Sequence, residues 1–335
     1  MRLFFQCGLL LALLACQSKP KKTELPAEVD YLQSKDAGVI LAQGYNRSAV
    51  FSEDGDKIFY VSKNRLGHKN SQIHEYDLFL QTDRRLTFQD GEVFGVVPLN
   101  DRQIIYSSNT DEIKEAPFTK DMDPRFPKAE IYLSDLLGSE ITRLTNSPGF
   151  DGEMIWVPAK KQVLMTSVRS KIPGLYWLNL ESEKVSPFAV DKEKTQRSAA
   201  LSIDGKFIYW IEEDPKAQTS SILSAPIHGK ARAVFKTLTG SVTKVLPSKN
   251  NQVIYSWLPD KADFYQIDIY DGTKNCTQTL LKSKLQFGEP QFSVKNPSVI
   301  IFRVSNNDKS QIYRWQLPID LGPCNEQGTS DTLAK

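Results

Sequence analysis

A unit of about 40 residues recurs along this chain, and each copy reads as four short strands separated by turn-formers. The clearest copy covers Arg47–Thr87. Its strands are expected at Arg47–Ser52, Lys57–Ser62, Ser71–Leu78 and Arg84–Thr87, each with period-two alternation or β-branched and aromatic enrichment. Glu53-Asp54-Gly55-Asp56 forms the first turn, with Gly55 suited to positive φ. The second strand returns as KIFYVS, QIIYSS, QVLMTS, KFIYWI, QVIYSW and SVIIFR, with starts separated by 46, 59, 44, 46 and 46 residues. The third returns as SQIHEYDL, AEIYLSDL, PGLYWLNL, SSILSAPI, DFYQIDIY and SQIYRWQL. A four-stranded sheet this small cannot bury its own faces, so the copies must stack on one another. The simplest solution is all-β: a six-bladed β-propeller of four-stranded antiparallel blades, closed into a ring that removes exposed edges. The sixth copy lacks a fourth strand after Leu317, and Gly38–Gln43 is expected to supply it from the N-terminal side.

Ahead of the repeats, Arg2 and the apolar run Leu3–Ala15 make a signal peptide, the run being too short for a comfortable membrane span. Leu13-Leu14-Ala15-Cys16 resembles a bacterial lipobox. The resemblance implies cleavage before Cys16, diacylglycerol on its thiol and acylation, typically palmitate, of the new amino terminus. Each buried methylene contributes about 0.8 kcal/mol, so such an anchor is effectively permanent. With Gln17 following the cysteine, the pattern resembles outer-membrane sorting, periplasm-facing, if the host is Gram-negative. Residues 16–36 then read as the lipidated cysteine and a polar tether with Pro20 and Pro26, reaching about 65 Å when extended. The propeller is assigned residues 37–324, and 325–335 a frayed polar tail.

Lysine and arginine number 42 against 40 aspartates and glutamates, with no basic run interleaved with aromatics. Nucleic-acid binding therefore has no support, and KPKK beside Cys16 suits lipid headgroups or simple solvation. Of the four cysteines, Cys7 leaves with the signal and Cys16 takes lipid. Cys276 and Cys324 are expected to form a disulfide that pins the C-terminal tail, the alternative being two free thiols.

The second repeat carries extra length at Thr110–Lys128, where three prolines stiffen a loop holding apolar residues with no repeat-defined core position. Phe118, Met122, Asp123, Arg125 and Phe126 are the candidate partner-binding residues there. The competing reading folds this insertion back on its own blade. Asp54-Gly55 and Asp204-Gly205 occupy equivalent repeat positions and are read as turns. The five tryptophans Trp156, Trp177, Trp210, Trp257 and Trp315 fall on strands and are read as packing between blades. His68, His74 and His228 are the three histidines, with no pair at metal-ligand spacing, so no metal site or cofactor is expected. Hydrolase-elbow, zincin, phosphate-loop and C-x-x-C motifs are absent from the sequence, and no catalytic residue is assigned.

SEDGDKIFYVS with QIHEYDL and RRLT, EIYLSDL with TRLT, and SIDGKFIYWI together resemble the TolB-type, WD-repeat-like β-propeller repeat. The resemblance spans roughly Arg47–Leu317. It implies the propeller fold and the habit of binding other envelope proteins through a propeller face, and it transfers no individual binding residue. The family's namesake carries an α/β domain ahead of its propeller, where this chain has a tether. The expectation is a monomeric, lipid-anchored, non-enzymatic scaffold or adaptor that docks an envelope protein or peptide. The alternative is a glycan-binding or polysaccharide-lyase-like propeller with its site in the central channel.

Overall fold

The computed structural model of the chain describes residues 29–31, 38–110, 123–229, 231–248, 251–306 and 309–317. They form β1 (Val29–Tyr31) and β2 (Gly38–Leu41), followed by successive antiparallel meanders. The first comprises β3 (Tyr45–Phe51), β4 (Lys57–Lys63), β5 (Gln72–Asp77) and β6 (Thr82–Arg85). Next come β7 (Val93–Pro98), β8 (Gln103–Ser108), β9 (Glu130–Asp135) and β10 (Ile141–Arg143). The third holds β11 (Asp151–Val157), β12 (Gln162–Ser167), β13 (Gly174–Asn179) and β14 (Val185–Ala189). Then follow β15 (Thr195–Leu201), β16 (Phe207–Asp214), β17 (Thr219–Pro226) and the first half of β18 (Ala233–Pro247). The second half of β18 opens a sheet with β19 (Gln252–Pro259), β20 (Tyr265–Asp271) and β21 (Cys276–Ser283). The last contains β22 (Gln286–Phe292), β23 (Val299–Ser305) and β24 (Ser310–Gln316).

The strand expected at Gly38–Gln43 is present as β2, which lies antiparallel on β24 as its outer neighbour. Val29–Tyr31, within the stretch read as a tether, pairs with β21; the rest of residues 16–36 lies outside the described residues. The last sheet meets the first through a parallel bridge between Ser310 and Tyr45, where the Ser310 hydroxyl donates to the Asn46 carbonyl.

Each pair of consecutive sheets encloses an apolar cluster. Phe59, Val61 and Ile73 face Val96, Ile104 and Tyr106 between the first two, and Ile254, Ile267 and Leu281 face Phe287, Ile300 and Phe302 between the last two. A further cluster joins Ile301 and Ile312 to Ala49, Ile58 and Tyr60, so the final sheet packs on the first. Burying one such side chain is worth about 1.5–3 kcal/mol, and the clusters bind sheets that could not stand alone.

The repeat's polar residues are structural. Asp54 Oδ1 accepts from the Ser52 hydroxyl (2.6 Å) and the Asp56 amide (3.0 Å), with Gly55 at φ 72°; Asp204 and Gly205 repeat the arrangement. The threonine of R-L-T explains its recurrence. Thr87 Oγ1 accepts from the Ile73 amide and donates to Gln72, and Thr145 Oγ1 accepts from the Ile131 amide and donates to Glu130. Each threonine thus satisfies a buried amide where the outer strand ends.

β18 crosses from one sheet to the next without a loop, and Gly240 sits at the junction with φ 137°. A Cβ there would lie 2.4 Å from the Leu258 carbonyl oxygen. Only glycine fits both the dihedral and the approach.

Candidate functional site

The innermost strands β3, β7, β11, β15, β18 and β22 surround a cavity of about 620 Å³. Every one of them breaks register with its neighbour where it passes this cavity: at Arg47/Val50, Val93/Gly95, Gly152/Ile155, Arg197/Ala200, Val242/Lys244 and Gly288/Gln291. A bulge adds a residue to one strand and re-aims its side chains. Here Ser48, Glu153, Ser198 and Glu289 take left-handed φ values of 46–57° within strands, which costs a non-glycine residue roughly 1 kcal/mol or more.

The bulges carry a two-fold internal pattern. Arg47-Ser48 in β3 matches Arg197-Ser198 in β15, and Gly152-Glu153 in β11 matches Gly288-Glu289 in β22. Arg47 Nη2 donates to the Val93 carbonyl and Arg197 Nη2 to the Val242 carbonyl, each at 2.6 Å. Glu153 accepts from the Ser198 amide (3.0 Å) and hydroxyl (3.1 Å) and from Thr166 (2.8 Å), while Glu289 accepts from the Ser48 amide. Each innermost strand in these pairs is tied to the next, which holds the lining rigid.

Lys244 stands among these groups on β18. It keeps some water-accessible surface because the cavity admits water, yet protein encloses it. Among the described residues its ammonium has no hydrogen-bond or ion-pair partner. Burial pulls its pKa below the ordinary lysine value, opposed by the Glu153 and Glu289 carboxylates and reinforced by Arg197. Burial likewise lowers the Arg47 pKa, against the pull of Glu289 and Glu92. Arg47, Arg125, Lys244 and Arg303 line the cavity against Glu153 and Glu289, and Phe94, Trp156 and Phe292 add aromatic surface. The lining is therefore amphipathic with a surplus of positive charge.

The insertion of the second sheet reaches this cavity. Phe118 and Met122 lie outside the described residues. Asp123 and Arg125 pair at 2.8 Å, and Arg125 also reaches Glu213 at 2.9 Å on β16. Burial raises the Glu213 pKa, but Arg197 and Arg125 outweigh it and leave the carboxyl below its ordinary value. Phe126 differs from the sequence expectation. At 4% exposure it packs against Phe150, Ala129, Phe94 and Val168, so its ring anchors the loop and offers no surface to a partner. Asp123 and Arg125 remain available, and Pro124 and Pro127 border the cavity.

Cys16 and Cys324 lie outside the described residues; Cys276 is buried at the start of β21. Trp210 and Trp315 are fully buried between sheets, and Trp156 packs against the cluster between the second and third sheets while also lining the cavity. The histidines are also corrected. His68 and His74, six residues apart across the β4–β5 loop, bring their rings to 5.3 Å and their Nε2 atoms to 3.1 Å. His228 stays apart from them. The recurrence of Arg-Ser in β3 and β15 and of Gly-Glu in β11 and β22 is the sequence signal that marks the lining. Nothing comparable marks Lys244.

No protein-family model matches the sequence, and no curated protein matches it. Solved structures do. TolB from Acinetobacter baumannii superposes with a TM-score of 0.55 at 17% identity, over 82% of this chain and 58% of that one. This chain thus spans less than two thirds of that protein's length. The putative TolB from Agrobacterium tumefaciens gives 0.59 at 13% identity over 82% and 91% of the two chains. An oligogalacturonate lyase in complex with manganese gives 0.54 at 12% identity over 90% and 99%. At these identities the likeness is one of fold: the sheets and the structural neighbours give the chain the β-propeller fold that the TolB structures share.

Proposed function

We propose that this protein is a lipid-anchored, non-enzymatic binding scaffold of the cell envelope. Its ring has six blades, closed by β2, and its channel holds an acidic, partly apolar segment of an envelope protein. The observation that carries the reading is Lys244, an enclosed ammonium without a partner, in a cavity with four cationic side chains to two carboxylates. A buried charge left unpaired is costly, and a ligand carboxylate is the counterion that relieves the cost. The aromatic lining supplies apolar contact beside it, the usual division of labour in binding pockets.

The anchor is Cys16, lipidated after cleavage of residues 1–15, in a periplasm-facing outer-membrane position if the host is Gram-negative. A Cys276–Cys324 disulfide belongs to the same reading, supported by the buried, disulfide-bonded state of Cys276, and the proposed export would permit it. Asp123 and Arg125 would meet the partner at the cavity's edge.

The test is crosslinking in cells followed by capture of the protein from detergent extracts. One dominant envelope protein is expected with the wild type, reduced at least tenfold with Lys244→Glu and partly with Lys244→Met. Recovery of the protein alone, or a partner indifferent to both substitutions, overturns the proposal and turns attention to glycan binding in the same cavity.

A further inference from the structure

Two imidazole rings meet where the β4–β5 loop folds back on the first sheet, and their hydrogen bonds fix where the protons sit. His68 Nδ1 lies 2.8 Å from the Asn70 carbonyl oxygen, which can only accept, so Nδ1 carries a proton. His74 Nδ1 lies 3.0 Å from Asp83 Oδ1 and donates to that carboxylate. The two Nε2 atoms stand 3.1 Å apart, within ordinary hydrogen-bond reach. With both Nδ1 positions protonated, that bond needs one further proton and has room for no more. The closed contact is therefore one imidazolium donating to one neutral imidazole. Without the shared proton two lone pairs face each other; with a second one, two N–H groups do.

The charges facing the pair come from each element packed on it. On β6, Asp83 accepts from His74, and Arg85 donates to the Gly67 carbonyl at 3.5 Å. On the loop, Arg65 pairs with Asp83 and donates to the Tyr60 hydroxyl of β4 at 2.7 Å, while Lys69 is exposed. The Tyr60 ring lies 5.5 Å from that of His74. Among these groups one carboxylate thus faces two guanidiniums before either imidazole is charged, and a second imidazolium finds no counterion. Burial lowers the His68 pKa below the ordinary histidine value; the Asn70 carbonyl opposes this, and His74, Arg85 and Arg65 add to it.

We propose that the His68–His74 pair is a proton-operated latch on the β4–β5 loop, closed while the rings share one proton and weakened when they lose it or gain a second. The loop's tip is Leu66, fully exposed, and its other ties are backbone bonds between Arg65 and His68 and between Asn64 and Lys69, with the Arg65 side chain on Asp83 and Tyr60. Solution pH thereby sets how firmly an apolar side chain is presented at the surface. On the acid side, the open loop lets His68 take a proton at its ordinary value, whereas the closed loop holds it off. That contribution is intact above about pH 6.5 and is lost as the pH falls through the lower value of the closed loop. On the alkaline side the shared proton leaves and the contact weakens again. Neither histidine lines the central cavity, so the latch stands or falls apart from the binding reading.

The experiment is hydrogen exchange of the mature protein between about pH 4 and about pH 9, read by mass spectrometry on the fragment covering residues 64–70 and expressed as protection over the intrinsic rate at each pH. Wild-type protection should pass through a maximum and fall roughly tenfold or more on the acid side, as for a coupled pair. His68→Gln, whose amide reaches His74 without titrating, should flatten the profile, and His228→Ala should leave it as in wild type. A fragment from β12 reports whether the fold itself survives at each pH. A wild-type profile without a maximum, or the same maximum in His68→Gln, overturns the proposal.

Discussion

Lys244 and Asp268 are two buried charges with opposite meanings. Lys244 costs stability wherever it is protonated, because burial depresses its pKa. The cost is present at neutral pH and fades only as the pH climbs toward the lysine's ordinary value. Lys244→Met should therefore raise the melting temperature at pH 7 while weakening partner capture, the trade-off expected of a residue kept for binding. Asp268 is 2% exposed and accepts from Trp257 Nε1 at 2.7 Å, with the Thr279 and Tyr255 hydroxyls beside it. Burial pushes its pKa up to about 6. The folded state thus holds a proton that the unfolded chain releases near pH 4, so stability falls as pH rises from about 4 to 6, by up to about 3 kcal/mol. Asp268→Asn removes the titration. Denaturant melts should find it more stable than wild type at pH 7 and equal at pH 4; equal stability at both would contradict the burial account.

Strand β18 carries a junction glycine pressed against backbone. Gly240→Ala places a methyl against the Leu258 carbonyl at a dihedral that alanine avoids, and should cost about 1–3 kcal/mol by urea unfolding. The sheets were legible because a strand's alternation and its turn residues are local: the β4 copies and the Asp-Gly turns stand where the repeat puts them. β2 was legible for a different reason, since a sheet missing its outer strand must find one. The lining was not. A bulge depends on which residue opposes which across two strands, and no single residue type announces it. Trp156 reads as packing between sheets and does pack there, yet it also lines the cavity, next to the register shift between Gly152 and Ile155. The contact between His68 and His74 was not legible because a hairpin loop folds one ring onto the other, which spacing along the chain does not announce. Phe126 was misjudged because Phe150, its packing partner, lies on the opposite side of a strand pair, 24 residues away.

The joint between the last sheet and the first is made by apolar side chains and one backbone bridge rather than by chain continuity. Ile301 and Ile312 against Ile58 and Tyr60 carry that joint, with β2 alongside β24. Reduction of the proposed Cys276–Cys324 disulfide should loosen it from the C-terminal side, by the 2–4 kcal/mol typical of a native bridge. Cys324→Ser should reproduce the loss under oxidising conditions, and identical melting in both states would remove that disulfide from the account. The rigid, bulged lining is the feature the whole assembly positions, and binding there is the central claim. The most direct measurement is photocrosslinking in cells from single positions: Thr243 on the cavity wall, and the exposed Phe79, which does not line the cavity. The account predicts one discrete adduct from Thr243, lost when Lys244→Glu is added, and none at Phe79. An adduct confined to Phe79, or one from Thr243 that survives Lys244→Glu, would place the partner outside the channel and contradict it.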